Sequence, residues 1–567
     1  NRRYARLLRA LRDYDADDVF EIYLSALSHV YDPHTDYLGK SELENFAIGM
    51  KLSLFGIGAL LQSEDGYCKI KELVAGGPAA QSKKIKPNDK IIAVAQGDKD
   101  PVDVVDMKLN KVVEMIRGPK GTEVRLTIIP VDAPDPSVRK VVTLIRDEIK
   151  LEDQEAKAKL IELPCEASAK PMRIGVIDLP SFYASFDIGE QPSSEQKSTT
   201  KDVAKLIRKL KEEKVGGIVL DLRRNGGGSL EEAINLTGLF IKEGPVVQVR
   251  DPGGKIMVDY DTDPSVLYDG PLVVLTSRFS ASASEIVAGA LQDYGRALVV
   301  GDSSTHGKGT VQSLIQLANI MRRRPAEDPG ALKVTIRKFY RASGSSTQLK
   351  GVTPDLVLPS VTAHMEVGEA TLENPLPWDV ITSAKYEKLN RIQPILEELR
   401  KRSNQRLEAD QDFAYLREDI ERMKKALEDK TVSLNENKRL KEKEENEARH
   451  KARQAELKAR HDPEEKVYEI TLKNADEPGL PEPATKAVAE SKSDSDSDPK
   501  PKAENDSETK SDVATADEEE SDESKTPAVD AIMKEAKRIL VDLIELSSPP
   551  PALTEVAAPK LGATRAD

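Results

Sequence analysis

Three serines alternate with alanines in Ser280-Ala-Ser-Ala-Ser-Glu-Ile286, and a lysine stands between glycines in Gly307-Lys-Gly-Thr-Val-Gln312. The apolar run Leu272-Val-Val-Leu275 ahead of the serines predicts a buried parallel strand. Ile286, Val287, Ala290 and Leu291 behind them predict a helix. A hydroxyl at such a strand-to-helix turn lies beside unpaired N–H groups and the positive end of the helix dipole, where an oxyanion is stabilised. Three uses compete for Ser282. The first is a serine hydrolase with His306 as base and Asp293 orienting it. The second is a serine–lysine hydrolase with Lys308 as base. The third is helix capping without chemistry. A solvated lysine has a pKa of about 10.4; burial disfavours the ammonium, and the flanking Gly307 and Gly309 suit close packing around a buried amine.

Composition narrows the classes. A chain of 567 residues needs several cores. A net charge of −14 argues against nucleic-acid binding through a basic surface. No apolar run reaches the ~18 residues of a membrane span. Cys68 and Cys165 fit no metal-ligand spacing, and the six histidines do not cluster, so neither a metal nor another cofactor is expected.

The elements around the site follow from hydrophobic periodicity. Residues 3–30 predict two helices broken near 13–17, and Asp32-Pro-His-Thr-Asp-Tyr37 predicts a turn in which His34 and Asp36 serve turn and capping roles. From about Ser53, short strands alternate with glycines: Phe55-Gly-Ile-Gly-Ala-Leu-Leu61, Cys68-Lys-Ile70 and Val74-Ala-Gly-Gly-Pro-Ala-Ala80, then a helix near Met107–Arg117 and a strand from Glu123. This order resembles a PDZ domain, with Phe55, Gly56, Ile57 and Gly58 as the loop whose amides hold a peptide carboxylate. Residues 171–360 alternate strand and helix, which predicts an α/β core on a mostly parallel sheet. Phe413, Leu416, Ile420, Met423, Leu427 and Leu434 keep heptad spacing, read either as a coiled-coil arm or as a helix packed on its own domain. Residues 439–465 predict a solvated charged helix. Residues 485–526 lack the apolar content to fold. Val529, Ile532, Met533, Ala536, Ile539, Leu540, Leu543 and Ile544 then form an amphipathic stripe that must dock on this chain or on a partner.

Larger motifs carry a family resemblance. Arg278-Phe-Ser-Ala-Ser-Ala-Ser-Glu-Ile286, Gln292-Asp-Tyr-Gly-Arg-Ala-Leu-Val-Val-Gly301 and Gly307-Lys-Gly-Thr-Val-Gln312 resemble the tail-specific proteases among the C-terminal processing peptidases. So do Asp32-Pro-His-Thr, Val74-Ala-Gly-Gly-Pro-Ala-Ala80, Asp221-Leu-Arg-Arg-Asn-Gly-Gly-Gly228, Lys350-Gly-Val-Thr-Pro-Asp355 and Leu376-Pro-Trp-Asp379, so that the match runs in order over roughly residues 15–460.

The resemblance implies a multidomain α/β protein: a crotonase/ClpP-like α/β protease core with an inserted, β-rich PDZ domain and helical N- and C-terminal regions. Its expected parts are an N-terminal helical region (1–50), the PDZ domain (51–150), the Ser–Lys core (151–360), a C-terminal helical domain (361–465), an acidic disordered linker (466–526) and an amphipathic helix with its tail (527–567). It implies Ser282 as nucleophile, Lys308 as base, Gln312 orienting the lysine and Asp293 supporting activity. The N–H groups of Ala283 and Gly227 would form the oxyanion hole, with Ser280 and Ser284 as caps. Expected substrates are proteins with free nonpolar C-termini. A lipoprotein adaptor and a periplasmic or cell-envelope location in a bacterium are further expectations of the resemblance alone. One departure stands out: Gly301-Asp-Ser-Ser-Thr-His-Gly-Lys-Gly309 is a residue longer than the family pattern and has His306 where an aromatic is expected, which keeps the histidine base open. A non-catalytic PDZ scaffold on a decayed hydrolase core is the alternative function. An acyl-CoA enzyme on the same architecture has no motif in its favour.

Overall fold

The computed structural model describes residues 14–484 apart from 136, 165–170, 186–196, 322–327 and 461–464, together with 529–547 and a few positions among the first thirteen. The first predicted helix, Cys165 and the expected linker at 485–526 fall wholly or largely outside the described residues.

Helix α1 (Ala16–His29) starts where Asp15 accepts from the amides of Asp17 and Asp18. Strand β1 (Asp36–Leu38) and helix α2 (Lys40–Lys51) lead into a two-stranded stem, in which β2 (Ser53–Gly56) pairs antiparallel with β9 (Asp147–Lys150). The stem carries a separate sheet in the order β3 (Ala59–Glu64), β4 (Tyr67–Leu73), β5 (Lys90–Gln96), β7 (Glu123–Ile129), β8 (Lys140–Ile145), with β6 (Val102–Asp103) beside β5. Helix α3 (Leu109–Ile116) closes its core with Val112 and Ile116 against Ile70, Ile91 and Leu126. Strand β3 is an edge of this sheet.

Among the described residues the main sheet has seven strands. In spatial order they are β19 (Leu356–Val357), β16 (Leu298–Gly301), β15 (Leu272–Thr276), β12 (Gly217–Asp221), β11 (Met172–Asp178), β10 (Lys157–Leu163) and β20 (Lys466–Ile470). From β19 to β11 neighbours run parallel, as the alternation predicts; β10 and β20 add antiparallel strands at one side. Such a sheet needs cover on both faces, and the period-2 strand sends alternate side chains to each. Ile218 and Leu220 of β12 join a core with α4 (Thr199–Glu212), α5 (Leu230–Gly238) and α6 (Ala283–Asp293). Val219 between them joins a second core on the opposite face.

That second core contains Leu399 of α7 (Leu396–Ala409), Phe413 of α8 (Gln411–Asp429), and Ala536, Ile539, Leu540 and Leu543 of α10 (Ala531–Ser547). The amphipathic stripe therefore docks on its own chain. A Cβ at Gly217 would stand 2.7 Å from Leu540 Cδ1, so the strand needs a glycine where the helix lies closest. A further sheet, β1–β18–β13–β14 with β17 (Thr310–Gln316) also on β18 (Ala331–Arg341), joins β13 (Gly244–Arg250) and β14 (Ile256–Asp261) to the N-terminal region.

Two expectations, the linker and the His34 turn, are corrected, and of the two readings of the heptad spacing the helix packed on its own domain is the one found. Residues 466–484 do not belong to a linker: β20 pairs with β10, and the carbonyls of Leu472 and Glu477 accept from Lys205 and Lys209. The heptad seam is not continuous, because Phe413 and Ile420 are buried while Leu434 is 99% exposed beyond the end of α8. The helix packs on its own domain for two turns, and its hydrophobic pattern outlasts the surface available to cover it. His34 does more than form a turn; its Nε2 lies 2.8 Å from the fully buried Glu369 carboxylate. The predicted charged helix forms as α9 (Glu436–Ala459), with no buried residue.

Leu540→Ala empties a fully buried position between α10 and β12. It should cost about 2–5 kcal/mol, read as a lower urea midpoint with unchanged slope.

Candidate active site

Strand β15 ends at Thr276, and the chain turns through residues 277–282 into α6. Ser282 is the last residue before the helix and holds φ 56° and ψ −113°. A positive φ in a residue with a Cβ stores about 1–3 kcal/mol and persists only where surroundings impose it. Here they do. Asn225 O accepts from Ala281 N (3.1 Å) and Ser284 Oγ (2.8 Å), while Leu222 O accepts from Ser280 Oγ (2.7 Å). Ser280 and Ser284 are thus not helix caps; they staple the turn to the loop after β12. Ser282 is half-buried at the helix N-terminus, beside the first helical amide, Ala283 N.

The Gly226–Gly228 loop meets this turn. Gly227 has φ 108°, and a Cβ there would stand 2.8 Å from Ser282 Cβ and 3.2 Å from Ala283 N. Only glycine lets the backbone come this close to the serine. Gly227 N donates to Asn225 Oδ1 at 2.9 Å, and Asn225 Nδ2 in turn donates to Leu179 O.

A buried carboxylate joins the serine to the lysine. Glu285 has no solvent exposure. Its Oε2 accepts from Ser282 N (2.8 Å) and Lys308 N (3.0 Å), and its Oε1 accepts from Thr305 Oγ1 (2.5 Å) and Gly307 N (2.7 Å). Two amides sharing one oxygen are held within about 6 Å of each other. Burial pushes the Glu285 carboxyl up to about 7, against the pull of these four donors. On the other side of Lys308, Gly309 N donates to Gln348 Oε1 (2.7 Å), Gln348 Nε2 donates to Glu369 Oε1 (2.7 Å), and Thr347 Oγ1 donates to Lys308 O (3.2 Å). The lysine main chain is thus fixed from both sides.

Gln312 lies on β17 and donates its amide protons to Thr310 Oγ1 (2.9 Å) and Thr335 Oγ1 (3.0 Å), which leaves Oε1 as the atom it can offer an ammonium. Asp293 sits at the far end of α6, about 16 Å along the axis from Ser282. It binds Arg341 Nη2 (2.5 Å) and Ser343 Oγ (2.9 Å) and does not orient His306. His306 has an unpartnered Nδ1 that lies 3.8 Å from Glu369. Burial pushes its imidazole down to about 4, in spite of the attraction of Glu369. A group neutral at pH 7 but so weakly basic is a poor general base.

In the smaller sheet, Phe55 and Gly56 are not on the groove strand. They belong to the stem, opposite Glu148 and Asp147. Ile57 and Gly58 form the entry to the edge strand β3; Ile57 O accepts from Ala79 N and Gly58 O from Val74 N. With its outer edge unpaired among the described residues and α3 beside it, β3 offers the pairing surface of β-strand addition.

Sequence reading missed Glu285, Asn225, Gln348 and Glu369. The first was within reach, because Ser282-Ala-Ser-Glu285 is a capping-box spacing. The others are tied in by contacts across distant segments, among them Ser284–Asn225 at 59 residues, Gly309–Gln348 at 39 and His34–Glu369 at 335, which leave no local signal.

The His306 environment has a measurable consequence. Its folded value lies below the free value of 6.5, so between pH 6.5 and about 4 the unfolded chain binds the extra proton and stability falls as pH falls. His306→Phe should abolish that loss, worth about 2 kcal/mol at pH 5, in urea melts compared at pH 7 and pH 5.

The chain also matches known proteins. Residues 173–358 match the profile of peptidase family S41, 47–129 a PDZ domain, 1–41 the tail specific protease N-terminal domain and 362–545 the C-terminal domain of tail specific protease. It is 42% identical to a tail-specific protease of Haemophilus influenzae over 451 residues, 79% of this chain and 61% of that one; it therefore spans less than two thirds of that relative's length. It is 32% identical to the carboxy-terminal-processing protease of Bartonella bacilliformis over 61% of this chain and 70% of that protein. A crystallised PDZ domain of a carboxy-terminal protease from Vibrio cholerae, in complex with peptide, is 51% identical over 18% of this chain and all of that one, with a TM-score of 0.17. The motifs around Ser282 and Lys308, the inserted PDZ domain and the flanking domains agree with these matches: the chain belongs to the carboxy-terminal-processing proteases of peptidase family S41.

Proposed function

We propose that the chain is a serine endopeptidase that captures the nonpolar C-terminus of a protein at β3 and cuts it with a Ser282–Lys308 dyad. The observation that carries this reading is the shared Glu285 oxygen, which draws the main chains of the nucleophile and the base together at a helix N-terminus. In the reaction Ser282 Oγ attacks the scissile carbonyl carbon while the neutral Lys308 amine takes its proton. The carbonyl oxygen becomes an oxyanion facing Ala283 N and, once it turns from Asn225 Oδ1, Gly227 N. Lys308 then protonates the leaving amine, and water, deprotonated by the same lysine, releases the acyl group from Ser282. Gln312 Oε1 orients the ammonium between these steps. Asp293 acts at a distance, holding α6 to the end of β18 through Arg341.

The PDZ groove supplies the tail. Strand addition at β3 holds the peptide by its backbone, and the amides at Ile57 and Gly58 receive the terminal carboxylate, raising the substrate's concentration near Ser282. The family resemblance also implies a bacterial cell-envelope location and a lipoprotein adaptor, which belong to this proposal.

Ser282→Ala and Lys308→Ala should each lower hydrolysis of an unfolded protein by at least about a thousandfold, while His306→Ala keeps turnover. Loss with His306→Ala and retention with Lys308→Ala would reverse the choice of base. Amidating the C-terminus of a peptide substrate should raise KM sharply; equal rates for free and amidated peptides would remove the PDZ capture step. Glu285→Gln turns an N–H2 towards converging donors and should lower kcat about ten- to a hundredfold, measured on the same peptide.

A further inference from the structure

Asp530 stands just ahead of α10 and serves two partners. Its Oδ1 accepts from Met533 N at 2.9 Å, capping the helix. It also receives both ends of the Arg223 fork, Nη1 to Oδ1 at 2.9 Å and Nη2 to Oδ2 at 2.8 Å. The same guanidinium binds Asp221 through Nε (3.0 Å to Oδ1) and Nη2 (2.7 Å to Oδ2). Arg223 lies at the end of β12, where the loop to Gly227 begins. Its carbonyl accepts from Ser277 Oγ (2.5 Å), its neighbour Leu222 receives Ser280 Oγ, and Asn225 two residues on holds Gly227 N, Ala281 N and Ser284 Oγ. A bidentate, charge-assisted pair fixes orientation as well as distance. The C-terminal helix, 307 residues away in sequence, therefore grips the strand end that carries the oxyanion loop and to which the Ser282 turn is hydrogen-bonded.

We infer that Asp530 is a positioning residue: docking of α10 through the Asp530–Arg223 pair sets the 222–228 loop against Ser282, so that the C-terminal helix supports turnover and not only stability. This rests on the Ser282–Lys308 reading for its kinetic consequence, but not for its structural one. Asp542 provides the control, since it belongs to the same helix and pairs with Arg402 (3.0 Å) and Arg406 (2.7 Å) away from that loop.

The test compares full-length Asp530→Asn, Asp530→Glu and Asp542→Asn with the wild type. Amide hydrogen exchange should show lost protection over 222–228 in Asp530→Asn and not in Asp542→Asn, with Asp530→Glu recovering part of it. On a peptide substrate Asp530→Asn should lower kcat about tenfold with KM unchanged, and should slow acylation of Ser282 by a fluorophosphonate probe by a similar factor; Asp542→Asn should stay within about twofold. Unchanged exchange over 222–228 in Asp530→Asn overturns the inference, as does an equal loss of kcat in both asparagine variants. Should Asp530→Asn fail to fold, Asp530→Glu carries the same comparison. A wild type that neither cleaves nor reacts strikes the proposed function instead, and exchange still decides the role of Asp530.

Discussion

A single buried carboxylate governs the geometry of this protein's site. Glu285 is enclosed completely and accepts four donors, two of them the main-chain amides of Ser282 and Lys308. Burying a charge is expensive unless its oxygens are saturated with hydrogen bonds. Burial accordingly raises the carboxyl pKa to about 7 despite the four donors. The exchange is specific: the carboxylate holds together two segments 26 residues apart, which no apolar contact could fix to a few tenths of an ångström. It also helps impose the strained φ of Ser282, because a residue with a Cβ stays in that region only when its neighbours leave no alternative.

Around this bond the fold supplies restraint in layers. Ser280, Ser284 and Asn225 tie the Ser282 turn to the glycine loop. Gln348 and Glu369 brace the far side of the Lys308 segment, and Glu369 also receives His34 from the N-terminal region. Arg223 connects the strand end beneath them to the C-terminal helix. The N-terminal region thus reaches the Lys308 segment, and the C-terminal helix reaches the glycine loop.

His306 shows how position overrides residue type. A histidine two residues before a candidate base invites an acid–base role, yet enclosure beside Glu369 leaves it too weakly basic for one. Asp293 is the complementary case. It has the right chemistry for a triad, but helix geometry carries it to the opposite end of α6, where it binds Arg341.

Much of this was legible without coordinates. The β/α alternation of 171–360 pointed to a mostly parallel sheet, because parallel strands need a long crossover and that crossover is usually a helix. Serines between an apolar strand and an apolar helix marked the turn, and the stripe from Val529 to Ile544 marked a helix that must be covered. Motif resemblance singled out Ser282 and Lys308. Tertiary structure alone decided that the stripe packs on β12, that 466–470 completes the main sheet, and that His34, Glu369 and Gln348 form one buried network. The physical reason is range. Periodicity and capping act over a few residues and leave a pattern in sequence; hydrogen bonds across hundreds of residues depend on how finished elements meet, and one buried Glu reads like any other until its donors arrive.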